Sequence, residues 1–524
     1  MLGVLLLSLS LSSACLNEVE AQTQPGSGPQ TTASLPHSAT EREVRLSLEE
    51  AVRLALQNNL DIERERLSPQ AARTLVEQAR AVFDPSLGLT ASIGQTKTLP
   101  QSQSLQFDEN GNVLGQPIVI RPFDKVAEVT PSFKQRIALG GSYELSFINT
   151  RDLTSPASFG TTSRIANPRH ESTLALTFTQ PLLKNFGIAV NTAPIRQAQY
   201  AEAIAQQRLL QVIIDTVHTV QQDYWELVFR IQDLAARRES QQLAEDFYAE
   251  NKVRVELGAL APIELVQAET QAKVRQGEVI SAAAAVREAE DTLKETLNLP
   301  EILGTWHLRL LPTDNPPFVP LADIAVDEKI TLAQQQRPDV RQAQLDIASR
   351  EVAREVARNQ RLPQLDLESR TSVGGFGKDA GRAIASIDDA EGYNWLFGLR
   401  FAYPLGNRAA NNELQRQHIL LQQALIDQRK VHRTAAREIF QAVREVETAS
   451  QRVEVTRAAT VLARTQLEAE QEKFRLGLST SFNVLQFQSQ LTTARSDETR
   501  ALSDYNVALS KLDRVTGSMQ YGVK

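Results

Sequence analysis

Trp395, Phe397, Leu399, Phe401 and Tyr403 alternate strictly with Leu396, Gly398, Arg400 and Ala402. That period of two predicts a β-strand with one strongly aromatic face. Leu174, Leu176, Phe178 and Gln180 alternate in the same way with Thr173, Ala175, Thr177 and Thr179, and shorter alternations run over 87–94 and 365–371. Segments of about ten residues, apolar on one face and polar on the other, have the form of lipid-facing strands of an outer-membrane barrel. Four strands cannot close a barrel, for which about eight are the practical minimum, so such a chain must oligomerise.

Between the alternating segments the pattern changes completely. From Ile195 to Leu257 there is no Gly or Pro, and from Asn407 to Leu476 again none, with Ala, Gln, Glu, Arg and Leu dominating both runs. At 1.5 Å per residue the second run predicts a helix on the order of 100 Å long. Each run stops at a Leu-Gly pair, Leu257-Gly258 or Leu476-Gly477, and resumes as a second helix over Ile263 to Leu297 or Phe482 to Val515. Gly is the expected helix stop, and Pro262 stands where a helix can start. Two further helices are expected over about 48–82 and 329–361, the first introduced by Ser47-Leu48-Glu49-Glu50.

These elements occur twice in the same order. Asp61, Leu67, Pro85, Leu87 and Leu89 recur at one constant spacing as Asp339, Leu345, Pro363, Leu365 and Leu367. Gln180-Pro181-Leu182 is echoed by Tyr403-Pro404-Leu405, and Arg254 to Gly258 by Lys473 to Gly477. The chain thus reads as one unit used twice, each copy needing its neighbour to bury its apolar face. The spacing between partners shrinks by roughly 55 residues from the Pro85 pair to the Pro181 pair, so the first copy carries that much extra chain between these prolines. Within it Tyr143, Leu145 and Phe147 alternate with Glu144, Ser146 and Ile148, and Gly140-Gly141 is a turn candidate. An external surface hairpin is one reading. The alternative is two more strands per subunit.

Composition narrows the class further. A net charge of -7 with acids and bases interspersed shows no basic face for nucleic acid. Cys15 is the sole cysteine, so no internal disulfide forms. Six histidines show no pair three or four apart on a helix, and no nucleophile has a plausible base, so neither a metal site, a cofactor nor an enzyme activity is expected. Gly374-Gly375-Phe376-Gly377 lacks the Lys-Ser/Thr of a phosphate loop and reads as an extracellular loop with Asp388 and Asp389 nearby. Residues 1–21 read as an export signal, cut after Ala21 or, with lipidation, before Cys15. Residues 22–43 follow as a flexible leader, 44–299 as repeat 1, 300–326 as a Pro-rich linker, 327–518 as repeat 2 and 519–524 as a tail.

The chain resembles the TolC-type outer membrane efflux protein family over about residues 46 to 518. The resemblance is carried by Leu46 to Asp61, Arg337-Pro338-Asp339-Val340, Phe178 to Gly187, Phe474 to Leu485 and the duplication. It implies an α+β membrane protein: a homotrimer in which each subunit gives four strands to one 12-stranded outer-membrane barrel and its helices to a periplasmic α-helical tunnel, which favours the external hairpin for the extra segment of the first copy. The function implied is a passive exit duct of a tripartite efflux or type I secretion system. Its partners would be a periplasmic adaptor and an inner-membrane pump of the RND, ABC or MFS type. A coiled-coil scaffold without a channel, periplasmic or on the surface, is the rival reading.

By the same resemblance, Leu257, Gly258, Ala259, Leu476, Gly477 and Leu478 form the adaptor-contacting tips. Leu174, Leu176, Phe178, Trp395, Phe397, Leu399, Phe401 and Tyr403 face lipid. The periplasmic gate would hold Phe474 at its aromatic position and Glu264 at one carboxylate position. Asn483 and Gln486 stand where other members carry aspartates, and Ser479 where they carry an arginine. Neutral rings at two positions imply a gate closed more by packing than by charge.

Overall fold

The computed structural model describes residues 43–97, 101–102, 109–111, 119–120, 123–154, 168–258, 260–299, 308–320, 324–389 and 392–519. The export signal, Cys15, nearly all of the leader, Ala259 and most of the C-terminal tail lie outside them. In chain order the elements are β1 (Glu43–Leu46), α1 (Leu48–Asn58), α2 (Leu60–Arg80), β2 (Ser86–Lys97), β3 (Gln101–Ser102), β4 (Val119–Ile120), β5 (Phe123–Arg136), β6 (Ser142–Thr154) and β7 (Arg169–Pro181). They continue with α3 (Ile188–Asn191), α4 (Ala193–Glu256), α5 (Pro262–Leu297), β8 (Arg309–Pro312), α6 (Val326–Gln336) and α7 (Pro338–Gln360). The last are β9 (Gln364–Gly377), α8 (Ala380–Ala385), β10 (Gly392–Ala402), α9 (Arg408–Arg475) and α10 (Ser481–Thr516).

The two long helices form as their lack of Gly and Pro requires, 64 residues in α4 and 68 in α9. Each doubles back through its Leu-Gly turn into a 36-residue partner, α5 or α10. Gly258 and Gly477 sit at φ 74° and 76°, the left-handed conformation that ends a helix without a Cβ penalty.

The opening helix of each repeat is split where one helix was expected. Asn59 and Arg337, at equivalent positions of the two repeats, both adopt an extended backbone, with ψ 126° and 128°. The Asn59 side chain caps α2 by accepting from the amides of Asp61 and Ile62, and Pro338 starts α7 in the second copy. Both break residues then hold the end of the repeat's last helix. Asn59 Nδ2 donates to Thr296 O at 2.9 Å, and Arg337 donates to Val515 O at 3.0 Å. Thr296 and Val515 are equivalent in their turn, at the spacing that relates Arg254 to Lys473, so the duplication extends to individual hydrogen bonds.

Each repeat has its own core. Val52, Val217, Tyr224, Leu227, Leu293 and Leu297 pack α1, α4 and α5 together with Leu310 of β8. Ala333, Ile439, Val443, Val446, Tyr505 and Leu512 do the same for α6, α9 and α10. The linker is stitched to both: Asp314 accepts from Leu48 N and the Tyr224 hydroxyl, at 2.7 and 2.8 Å, while Tyr505 donates to Val319 O at 2.6 Å. β8 pairs in parallel with β1, which closes this belt.

The second structural layer is one antiparallel sheet of six strands in the order β10-β9-β7-β6-β5-β2. This corrects the external hairpin expected for the extra segment of repeat 1. β5 and β6 turn at Gly140, whose φ of 100° suits only glycine, and they lie inside the sheet between β2 and β7. The β5–β6 ladder skips Thr130 and Pro131, where proline offers no amide hydrogen. A second correction concerns Gly374 to Gly377, which continue β9 as strand and form no loop. A Cβ on Gly375 would lie 2.4 Å from Ala383 O, so these glycines let α8 rest against the sheet.

Candidate functional site

The register sorts the sheet's side chains by polarity. One row of directly paired residues reads Leu87, Phe133, Leu145, Leu176, Thr371 and Trp395 across all six strands. A neighbouring row carries Tyr143, Phe178, Ser369 and Phe397. Leu89 and Ile93 of β2, Leu174 of β7, and Leu399 and Phe401 of β10 share this face by alternation. It is open to the surroundings: Leu87 and Ile93 are each 87% exposed, and Trp395, Phe397, Leu399 and Phe401 between 64% and 67%. Tyr403 follows the same parity but stands just past the end of β10.

The opposite face is mostly polar, with Thr90, Ser92, Ser132, Lys134, Glu144, Ser146, Thr173, Thr177, Glu368 and Arg400, and it also carries Val126, Phe376 and Leu396. Ion pairs cross strands there, Lys134 to Glu144 at 3.7 Å and Arg400 to Glu368 at 2.9 Å. No helix among the described residues is long and apolar enough to cross a membrane.

At the far end of the long helices the two turns present bare apolar residues. Leu257, Leu476 and Leu478 are each about three-quarters exposed, at 77%, 73% and 75%. A Cβ on Gly258 or Gly477 would meet nothing within 4 Å, so glycine is required there by backbone conformation and not by crowding.

Just behind the turns, one cluster joins the tips of the two repeats. Phe474 is buried against Phe247 with ring centroids 5.2 Å apart, alongside Ala268, Leu467, Val484, Leu485 and Leu491. The Arg254 guanidinium stands 5.0 Å from the Phe474 ring centre, a cation–π contact that covers the ring. Asn251 Nδ2 donates to Ser481 Oγ at 2.9 Å, and Ser481 N donates to Glu264 Oε2 at 3.2 Å. Glu470 accepts from the Ser479 hydroxyl and from Lys473 Nζ, the latter at 3.0 Å, while Asn483 donates to Ser479 Oγ at 3.3 Å. The Ser479 hydrogen bond, followed by Lys473, holds the Glu470 carboxyl below the ordinary glutamate range.

Of the five gate positions read from the sequence, Phe474, Ser479, Asn483 and Glu264 thus enter bonded or packed arrangements at the tip, and Gln486 stands exposed. Phe247, Asn251, Arg254, Glu470 and Ser481 were not among them. A signal for two of these existed. Asn251 and Glu470 occupy equivalent positions of the two repeats, and each bonds a serine just beyond the second Leu-Gly turn.

Residues 330–518 match the outer membrane efflux protein family. The fold is similar to that of the Campylobacter jejuni CmeC outer membrane channel, at 15% identity over 91% of this chain and 87% of that one, with a TM-score of 0.61. It is also similar to the outer membrane protein VceC from Vibrio cholerae, at 15% identity over 90% and 96% of the chains and a TM-score of 0.61. The open state of the Neisseria gonorrhoeae MtrE outer membrane channel gives 15% identity, 90% and 88% coverage and a TM-score of 0.59. No curated protein matches the chain by sequence.

Proposed function

We propose that this chain, which belongs through its second repeat to the outer membrane efflux protein family, is the outer-membrane exit duct of an efflux system. The family is one of transport ducts and not of enzymes. The observation that carries the reading is the division of one continuous sheet into an apolar and a polar face, joined directly to helices about 100 Å long. A barrel satisfies every backbone group within lipid, so its outer face takes the apolar residues and its inner face the polar ones. The helical hairpins carry the same passage into the periplasm. Transport is then passive, driven by a pump in the inner membrane.

Three copies would assemble into one duct, since a single sheet of six strands cannot close. The exposed leucines of the two turns, Leu257, Leu476 and Leu478, would contact a periplasmic adaptor. The cluster around Phe474 would hold the periplasmic entrance shut. Which pump class supplies the energy depends on that adaptor. A scaffold without a channel would leave the aromatic face of β10 in water, at a large cost in exposed apolar area.

Cell fractionation tests the reading. The protein should be recovered with the outer membrane and released only by detergent. Recovery in the soluble periplasmic fraction would contradict it.

A further inference from the structure

We infer that the barrel of this protein has 18 strands, six from each of three copies, with β2 of one copy paired to β10 of the next. The inference rests on the duct reading and adds the width of its membrane pore.

The first support is where β5 and β6 lie. Both are interior strands, β5 laddered to β2 over 12 pairs and β6 to β7 over 11, and they pair with each other on either side of the gap at Thr130 and Pro131. Removing them from the wall would break both ladders. Their side chains also continue the polarity of the sheet, with Phe133, Leu145 and Phe147 on the apolar face and Ser132, Glu144 and Ser146 on the polar one. A hairpin folded outside the membrane would have no reason to place Phe133, Leu145 and Phe147 in register with Leu87, Leu176 and Leu174.

Closure supplies the second support. Successive strands alternate in direction through six positions, so the outer edges, β2 and β10, run antiparallel to each other. Copies arranged around an axis therefore meet edge to edge as a continuous antiparallel sheet. The edges suit each other: β2 has 12 residues and β10 has 11, neither contains proline, and their apolar residues fall on the same face. Long, flat apolar edges of this kind persist only when paired.

Width gives the third. With strands ~4.8 Å apart and tilted ~40°, 18 strands make a barrel roughly 36 Å across and 12 strands one roughly 24 Å across. Four helices per copy adjoin the sheet, α2, α4, α7 and α9. Twelve helices in a ring at ~9 Å spacing measure roughly 34 Å across. The 18-stranded barrel falls in the size class that leaves an open aqueous lumen. The outer opening would then admit bulkier cargo than a 12-stranded wall, leaving the periplasmic tips as the narrow point.

Single-cysteine variants in lipid, probed with a membrane-impermeant maleimide against the unsubstituted chain, test this. Ser146→Cys and Thr173→Cys should label, while Val129→Cys, Leu145→Cys and Leu399→Cys should not. Labelling at Val129 and Leu145 with protection at Leu399 would overturn the 18-stranded wall and leave the duct intact. Labelling at Leu399 as well would overturn the duct reading itself. Electron cryomicroscopy of the unmodified assembly in nanodiscs counts the strands directly: 18 are expected, and 12 with β5 and β6 outside the wall would refute the inference.

Discussion

Asn251 donates a 2.9 Å hydrogen bond to Ser481 across 230 residues of sequence, and neither side chain is exposed to solvent. The bond ties the end of α4 to the start of α10, so it spans the two repeats at the periplasmic tip. Leaving a buried donor or acceptor unpaired costs about 1–3 kcal/mol. Asn251→Ala should therefore loosen the tip and raise the open probability of single channels several-fold. An unchanged open probability would show that this bond does not hold the gate.

Phe474 is the apolar part of the same cluster, and the proposed gate would rest on it. Truncating a buried phenylalanine costs about 3–5 kcal/mol, here removed from the contact with Phe247 and Arg254. Phe474→Ala should leak, whereas Phe474→Leu, which keeps much of the volume, should leak less. Conductance recorded side by side for the two variants checks this order.

Acid should weaken the tip through Glu470. Its carboxyl is held below the ordinary range in the folded protein, so its contribution is present above the unfolded value and lost as pH falls through the lower, folded one. Channel opening should rise at acid pH in the unsubstituted protein. In Glu470→Gln that acid limb should flatten, as open probability measured against pH would show.

His218 gives a separate acid dependence nearer the middle of the tunnel. Burial beside Ser510, followed by the nearby Arg514, with Asp215 opposing and Lys511 adding, lowers its imidazole to about 4. The unfolded chain takes up the proton near 6.5 and the folded one only near 4, so stability should fall across that window as pH drops. His218→Gln should reduce the slope of melting temperature against pH between those values.

Arg337 is a structural prediction of another kind. It bonds Asp339, Glu438 and Val515 O at 2.7–3.0 Å and sits at the break between α6 and α7. The Arg337 guanidinium is well covered while Asp339 and Glu438 are each about one-third exposed, so its loss should cost less than the about 3–5 kcal/mol of a fully buried pair. Arg337→Met should lower the melting temperature of the assembly markedly, while Asn59→Ala, which removes the neutral counterpart in repeat 1, should lower it less.

Much of this architecture was legible along the chain. The long helices were bounded closely because an uninterrupted run between glycines and prolines leaves few places to stop. The alternation at Trp395 gave the face of each residue in β10, since parity is a local property. Neighbour relations are not local, so alternation left the β5–β6 segment open between an external hairpin and the wall, and the four strands per subunit of the resembled family tipped the reading to the hairpin. Periodicity states which way Leu145 points but not that it lies beside Leu176. The break at Asn59 was hidden for a related reason: repeat 1 has no proline there, and only Pro338 in repeat 2 marked the position. In the tip cluster, Phe474 and Ser479 were visible beside their Leu-Gly turn. Phe247, Asn251 and Arg254 reach that cluster from α4, in the other repeat, and no local pattern announces it.

Conductance across a planar lipid bilayer containing the detergent-purified protein, with its oligomeric mass measured in parallel, tests the central claim most directly. Small, discrete channel events from a trimer are the expected result, enlarged by Phe474→Ala. A monomeric or water-soluble protein that never inserts would contradict the duct, and the alternating strands would then be ordinary sheet.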